Sequence, residues 1–304
     1  MIRYRKLGYV ALNLSDLTRA REWYSAMMGV QVNGTGAAGE QYFRAGPAHH
    51  DLVLYQSHAP GLKRIGWELE SDAQFDVVAQ VLGQHNIPWH ALNQSECLAA
   101  HVARAIRMVD PITGVTLEFY CGMSESQESA AFTPTVARLQ SICHIGIGTP
   151  RYREAIAFYE QVLNFRTSDE IDGRINLMRC FPNPLHHSLA IAQADRDMLH
   201  HVNFMIADDD DLTRARERFR AHHVPMVWDG FHPPSGNTFL FFLDPDGLSL
   251  EFGHGMEQFP EHHARAHRVF PARPESFDST GSTRDARMAA TGDIERGVLM
   301  QIPQ

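Results

Sequence analysis

Three residues of the chain have the types that hold a transition metal for oxygen chemistry: His144, His201 and Glu251. Each lies in an apolar stretch typical of a strand, and they are far apart in the sequence, so only the fold can bring them together. Two imidazoles and one carboxylate form a 2-His-1-carboxylate facial triad, which leaves adjacent coordination positions open on Fe(II). The pattern therefore favours one Fe(II) site, with Mn(II) as the alternative because the same ligand types suit it.

An internal repeat in the sequence supports the interpretation of these three residues as metal ligands. Residues 7–32 and 142–167 both begin with alternating apolar residues, which indicate a half-buried strand, and continue into an amphipathic helical stretch. His144 occupies the position that Tyr9 has in the first copy. Taken singly, each histidine of the chain is an ordinary strand residue in the simplest interpretation. Together, at corresponding points of a repeated unit, the three residues predict a metal site.

A second unit is also present twice. Residues 65–70 and 201–206 each read as a strand that precedes a helical stretch. Residues 110–119 and 244–252 each begin with Asp-Pro, pass through a glycine and end in Leu-Glu-Phe, which is typical of a tight turn between two strands. We therefore predict that each half of the chain contains two copies of one unit, which consists of a strand, a helix and further strands.

The first half lacks most of the proposed metal ligands. Its equivalent positions are Tyr9, a residue near Ile65, and Glu118, so the carboxylate is kept and both imidazoles are missing. A duplicated fold with one metal site in the C-terminal half explains this difference. We expect Glu118 to be an exposed carboxylate at the end of a strand.

The length and composition of the chain indicate two globular domains and a tail. The chain has 304 residues, of which 44% are hydrophobic and 21% charged, as in ordinary globular proteins. We place an N-terminal domain without metal at 1–125 and a linker at 126–136. A C-terminal domain with metal and active site follows at 137–256. Residues 257–304 have little periodicity and are predicted to form an extended or partly disordered arm, packed on the body or on another subunit.

Charge and cysteine content exclude several classes of function. The chain has 27 Lys and Arg against 36 Asp and Glu, a net charge of -9, so a nucleic-acid partner is not expected. No apolar run has the length of a membrane helix, and we expect no membrane partner. The four cysteines form no CxxC pair, which favours a reducing cytoplasm over a disulfide framework.

Five motifs, in order, resemble a known family. They cover roughly residues 5–255 and consist of Cys-His-Ile-Gly-Ile around His144 and the segments 183–190, 199–204, 230–236 and 241–253. On these motifs the chain resembles the vicinal oxygen chelate (VOC, or glyoxalase-like) superfamily, and within it the two-domain extradiol ring-cleavage dioxygenases. The resemblance implies an α+β fold of four βαβββ modules in two tandem domains, whose mixed sheets form open barrels.

The same resemblance implies roles for individual residues. His144, His201 and Glu251 match the iron ligands, and His201 is preferred to its neighbour because it begins the apolar strand. His187 matches the histidine that acts as general acid and base. His232 matches the histidine that bonds a substrate hydroxyl. We expect the remaining histidines of this region to be solvated or to serve in packing, namely His186, His200 and His254.

The activity implied by the resemblance is Fe(II)-dependent meta-cleavage of a catechol-type diol. Such an enzyme takes up O₂ and gives a 2-hydroxymuconate-semialdehyde type product, within the catabolism of aromatic compounds, and commonly forms a homo-oligomer. Two alternatives stay open: another metalloenzyme of the same fold, such as an isomerase or thiol transferase, and a non-catalytic ligand-binding protein.

One position departs from the pattern of the family. Ten residues before the carboxylate ligand the family usually has tyrosine, whereas this chain has Phe241. A second departure is the longer stretch at 180–185. Because Phe241 brings no hydroxyl to the substrate, we expect a preference for a substituted or additionally hydroxylated catechol.

Overall fold

The computed structural model describes residues 1–125, 132–289 and 292–298. The alternating apolar stretches of the N-terminal half fold into strands, and the amphipathic stretches between them fold into helices. In chain order the elements of this half are β1 (Tyr4–Leu14), α1 (Leu17–Trp23), β2 (Gln31–Thr35), β3 (Gln41–Arg44), β4 (Leu52–Gln56), β5 (Gly61–Leu69), α2 (Gln74–Gln84), β6 (Trp89–Ala91), α3 (Gln94–Ala99), β7 (Val102–Val109) and β8 (Thr116–Met123).

The C-terminal half repeats this order without a counterpart of α3. Its elements are β9 (Leu139–Thr149), α4 (Tyr152–Gln161), β10 (Phe165–Ile171), β11 (Ile175–Cys180), β12 (Leu189–Gln193), β13 (Met198–Ile206), α5 (Asp209–Ala221), β14 (Met226–His232), β15 (Asn237–Leu243) and β16 (Ser249–His254). The tail adds β17 (Arg268–Phe270), α6 (Pro274–Phe277) and β18 (Asp293–Ile294). None of the described helices is long and apolar enough to span a membrane.

Strand pairing joins two βαβββ modules into one open barrel in each half. In the first half β1 lies between β4 and β5, and β5 pairs in turn with β8. In the second half β9 lies in the same way between β12 and β13, and β13 pairs with β16. The predicted fold class, four modules with open mixed sheets, is confirmed. The division at 1–125, 126–136 and 137–256 stays a prediction, and residues 126–131 of its linker lie outside the described residues.

A reciprocal pair of hydrogen bonds links the two halves. The hydroxyl of Tyr24, just after α1, donates to Asp244 at 2.8 Å, and the hydroxyl of Tyr159 on α4 donates to Asp110 at 3.2 Å. All four side chains are buried, and each bond joins a helix region of one half to the Asp-Pro turn of the other. The repeat therefore supplies one of the contacts between the halves as well as the modules themselves.

This contact predicts a pH-dependent stability. Burial raises the pKa of Asp244 to about 6, and the hydrogen bonds from Tyr24 and Leu248 offset this only in part. The folded chain therefore binds this proton more tightly than the unfolded chain, where the pKa is 3.8. The stabilisation is complete below the unfolded value and is lost as the pH rises through about 6.

Asp244→Asn removes this titration while its amide oxygen can still accept the backbone bonds. We expect the free energy of unfolding of the wild type, relative to Asp244→Asn, to fall by about 1.4 kcal/mol between about pH 5 and about pH 7.5. Urea unfolding at the two pH values, followed by circular dichroism, measures the difference. Parallel pH dependence of the two proteins would contradict the assignment.

The tail packs on the body, as one of the two predicted arrangements has it. β17 runs parallel to β10, and β18 pairs with both β5 and β13. The C-terminal arm thus contacts both halves. Its residues 290–291 and 299–304 lie outside the described residues.

Candidate active site

Strand register brings the three predicted metal ligands to one point. Asn203 on β13 lies opposite His144 on β9 and also opposite Glu251 on β16. His201 precedes Asn203 by two residues on the same strand, and side chains two residues apart point to the same face of a sheet. All three predicted ligands therefore face the interior of the C-terminal barrel, and each is buried.

The donor atoms of these side chains are close enough to share one ion. Nε2 of His144 is 2.8 Å from Nε2 of His201, and the two nitrogens are 3.1 and 3.3 Å from Oε2 of Glu251. Donors about 2.1 Å from a common ion and at right angles lie about 3.0 Å apart, so the spacing fits facial coordination. His144, His201 and Glu251 thus form a site for a divalent metal.

The protonation states of His144 and Glu251 also fit a cation. Burial lowers the pKa of His144 to about 4, although Glu251 acts in the opposite direction. Burial disfavours ionisation of Glu251, but His144 and His201 outweigh it and hold its pKa well below the usual range. Apart from these two imidazoles, no described residue donates a hydrogen bond to either carboxylate oxygen. A buried carboxylate with so few partners needs a positive charge nearby, which a bound metal would supply.

The glycine of the first motif, Gly146, is required by the ring of His201. It lies opposite His201 in the β9–β13 register, and a Cβ atom there would come within 2.5 Å of the imidazole. The backbone of β9 at Gly146 therefore leaves the room that the ring of His201 occupies.

Two further predicted histidines line the cavity beside the metal ligands. The ring of His187 lies 4.1 Å from that of His144, centroid to centroid. His232 ends β14, stacks on Phe239 at 3.8 Å and places its Nδ1 2.6 Å from the carbonyl oxygen of Phe277. Since that nitrogen must donate, Nε2 of His232 is left to bond a ligand. Burial lowers the pKa of both His187 and His232, so both rings are neutral near pH 7.

The other histidines of the region have more specific contacts than we expected from the sequence. His186 is fully buried and bonds Asp169 at 2.8 Å and His187 at 3.1 Å. His200 lines the cavity, and its Nδ1 lies 2.7 Å from Nδ1 of His201. This contact orients the ring of the metal ligand His201. His254 only approaches the carbonyl oxygen of Ile206, at 3.4 Å. The tandem pairs 186–187 and 200–201 were the available sequence signal.

A cavity of about 950 Å³ opens from these groups. Apolar side chains of the C-terminal half form much of its wall, among them Ile171, Ile175, Leu177 and Met198. The arm closes another side with residues 272–278 and 281–284. This contribution has no periodic sequence signal, and the predicted site did not include it.

Phe241 lies where the sequence predicted, next to the metal ligands. It is opposite Glu251 in the β15–β16 register, and its ring centroid is 5.1 Å from that of His201. Trp228 stacks on it at 5.6 Å. Strand alternation places Phe239 in the same cluster, whereas Phe242 packs into the main core. Phe241 therefore lines the cavity with an apolar ring.

The N-terminal barrel has an ion-paired network where the other barrel has the metal ligands. Arg64 takes the position of His201, and Glu118 takes that of Glu251. The expectation that Glu118 is exposed was wrong: it is fully buried and accepts hydrogen bonds from Tyr9 at 2.8 Å and Arg107 at 2.6 Å. Arg64 also donates to the Tyr9 hydroxyl at 2.6 Å. The guanidiniums of Arg64 and Arg107 neutralise the carboxylate of Glu118, which therefore does not need a metal ion to balance its charge.

Comparison with known families agrees with the fold. The model of the Glyoxalase/Bleomycin resistance protein/Dioxygenase superfamily matches residues 141–252, which contain all three metal ligands. These residues form a domain of that superfamily, and the resemblance inferred from the sequence is confirmed.

Individual relatives are similar along most of the chain. Biphenyl-2,3-diol 1,2-dioxygenase of Paraburkholderia xenovorans (strain LB400) is 28% identical over 263 residues, which cover 82% of this chain and 87% of the relative. The crystal structure of BphC, a halotolerant catechol dioxygenase, superposes with a TM-score of 0.81 at 22% identity, covering 89% of this chain and 92% of that one. The Mn(II)-bound glyoxalase from Novosphingobium aromaticivorans superposes with a TM-score of 0.82 at 21% identity, covering 95% and 94%. At these identities the two structures support the shared fold.

Proposed function

We propose that this chain is an Fe(II)-dependent extradiol dioxygenase that cleaves a catechol-type diol beside its hydroxyl groups. The observation that carries the proposal is the combination in one cavity of a facial set of three ligands with two histidines that are not ligands, His187 and His232. The similarity to a biphenyl-2,3-diol dioxygenase supports the same reaction class.

The proposed metal is Fe(II), held by His144, His201 and Glu251, with Mn(II) as the alternative. Bound there, Fe(II) would supply adjacent positions for the diol and for O₂ and an electron path between them, which triplet oxygen needs to react with a singlet diol. With one carboxylate and two neutral imidazoles as ligands, Fe(II) would keep a net charge of about +1 at the site. A catecholate monoanion would neutralise that charge.

The residues around the metal ligands would handle protons and exclude water. His187, neutral and buried, can accept the proton of a substrate hydroxyl and later return it. His232 is held through Nδ1 by the Phe277 carbonyl, so its Nε2 can bond a substrate hydroxyl. In the overall reaction the aromatic carbon–carbon bond beside the diol breaks, and both atoms of O₂ enter the acyclic product.

A second candidate function is isomerisation by a metalloenzyme of the same fold. The observation that favours it is the similarity to the Mn(II)-bound glyoxalase over nearly the whole chain. An isomerase consumes no O₂, which separates the two proposals. The cytoplasmic location and the homo-oligomeric state stay predictions.

A substrate screen tests the proposed reaction. The chain, purified without oxygen and loaded with Fe(II), is mixed with catechol, 3-methylcatechol, biphenyl-2,3-diol and trihydroxybenzenes in an oxygen-electrode cell. We expect O₂ uptake together with a yellow product for at least one diol. A parallel sample loaded with Mn(II) distinguishes the two metals. Absence of both signals with every diol and both metals would contradict the proposal.

Phe241 is predicted to set the preference among these diols. In Phe241→Tyr the new hydroxyl would lie near the substrate oxygens, and one hydrogen bond changes kcat/KM by about 2–10-fold. We expect the ranking to shift towards plain catechol. Phe241→Leu is the control, since it removes the stacking on Trp228 without adding a hydroxyl. An unchanged ranking in Phe241→Tyr would mean that this ring does not determine specificity.

A further inference from the structure

A buried group of charges lies behind His187, outside the metal site. Asp169 on β10 is fully buried, and its Oδ2 is 2.8 Å from Nε2 of His186. From the arm, Arg265 donates to both oxygens of Asp169 at 2.9 Å, and Arg268 donates to Oδ2 at 2.6 Å. With two guanidiniums on its carboxylate, this group is an ion-paired cluster and has no need of a second metal.

The hydrogen bonds of this cluster fix the position of each proton. Burial alone would raise the pKa of Asp169, but bonds from His186, Arg268 and Arg265 outweigh it and hold the pKa well below its ordinary value. An ionised carboxylate only accepts, so Nε2 of His186 carries a proton. Burial lowers the pKa of His186, which leaves the ring neutral and its Nδ1 an acceptor.

The next contact passes this constraint to His187. The two Nδ1 atoms of His186 and His187 are 3.1 Å apart, and since the first accepts, the second must donate. Whether His187 is neutral or charged, its Nδ1 keeps a proton. The nitrogen that gains and loses a proton is therefore Nε2.

We propose that Asp169 and His186 are positioning residues, which fix the Nδ1–H form of His187 so that Nε2 exchanges protons with the substrate. This role rests on the ring-cleavage function proposed above. The hydrogen-bond relay from Asp169 through His186 to His187 itself rests on the geometry. The arm takes part because Arg265 and Arg268 keep Asp169 ionised and in place.

The N-terminal half provides an internal comparison. It has the same histidine pair, His49 and His50, with the same distance of 3.1 Å between the Nδ1 atoms. The position of Asp169, just after a bulge in the β10–β11 pairing, is taken by Gly34, just after the equivalent bulge in the β2–β3 pairing. Gly34 has no side chain that could accept a hydrogen bond from the histidine pair. Among the described residues, the carboxylate thus accompanies the half that has the metal ligands.

Spectroscopy of the metal-free, full-length chain tests the relay without any activity. With ¹⁵N-labelled histidine, two-bond correlations distinguish the Nδ1–H and Nε2–H forms, and the spectrum of His187→Gln assigns the signal. We expect the Nδ1–H form in the wild type. In Asp169→Ala no carboxylate accepts from Nε2 of His186, so neither ring is held in one form, and we expect a mixture of the Nδ1–H and Nε2–H forms of His187. An unchanged His187 signal in Asp169→Ala would overturn the relay.

Kinetics of matched variants of the Fe(II)-loaded enzyme separate positioning from packing. We expect Asp169→Ala to lower kcat by about 10–10²-fold with little change in KM, as for a histidine base that is no longer held in the required tautomer. His186→Asn loses the bond to Asp169 but keeps an acceptor oxygen near Nδ1 of His187, whereas His186→Leu keeps neither. Rescue of kcat by His186→Asn relative to His186→Leu supports the relay, and equal losses would overturn it.

The arm requires its own control. Arg287→Gln removes an ion pair of the arm, with Asp285, that does not contact Asp169, so we expect kcat to stay near that of the wild type. A loss as large as that of Asp169→Ala would assign the effect to the arm as a whole and overturn the relay. A wild-type chain without ring cleavage would overturn the proposed function and the catalytic role with it, whereas the spectra judge the hydrogen bonds separately.

Discussion

Replacing His144 or His201 with alanine is expected to abolish both metal binding and ring cleavage while the fold persists. Each residue supplies one of only three protein ligands, and the remaining two cannot define a facial site. The barrel around them is already packed by the surrounding core, so loss of one imidazole leaves the strands in place. Elemental analysis gives the metal content per chain, and circular dichroism checks the fold.

A thermal measurement makes the same test independent of turnover. A ligand that binds only the folded chain stabilises it by about 2.7 kcal/mol at a hundred times its Kd. Added Fe(II) or Mn(II) under anaerobic conditions should therefore raise Tm of the wild type and leave that of His144→Ala and His201→Ala unchanged. His254→Ala is the control, since His254 lies on the same strand as Glu251 but its ring approaches the carbonyl oxygen of Ile206 and is not one of the three ligands. Full metal content in both ligand variants would contradict the site.

The second large effect is expected at His187. Replacement by glutamine or alanine should leave metal and substrate binding intact and lower kcat about 10²–10⁴-fold, the usual contribution of a general acid–base group. Metal content, anaerobic titration with the diol, and single-turnover rates separate the three properties. If turnover does not change, His187 serves only in packing, and His186 or His232 becomes the candidate for proton transfer.

The fold was predictable because the sequence contains an internal repeat, in which the same pattern of strands and helices occurs in both halves. The alternating strand patterns at Tyr9 and His144, and the Asp-Pro turns at Asp110 and Asp244, gave the four modules and aligned their positions. That alignment is also what brought His144, His201 and Glu251 forward from a chain with 18 histidines. Register in a sheet follows the alternation of side chains, so a repeat with the correct period predicts which residues meet.

The rest of the site depends on contacts that leave no local pattern. Asp169 has its importance from His186 and from two arginines of the arm, nearly a hundred residues away in the chain. Phe277 contributes a backbone carbonyl, which any residue has. Glu118 was expected to be exposed because its partners, Arg64 and Arg107, are identified only by strand pairing. Sequence periodicity gives the face of a strand, but it does not give the partner across the barrel.

Oxygen labelling is the most direct test of the proposed reaction. The Fe(II)-loaded chain is supplied with ¹⁸O₂ and the best diol of the screen, and the product is reduced as it forms so that the aldehyde oxygen does not exchange with water. Mass spectrometry then counts the labelled atoms in each product molecule. An extradiol dioxygenase places both atoms of one O₂ molecule in a ring-opened product. A ring-opened product with one label or none, or a product whose ring is intact, would contradict the proposed function.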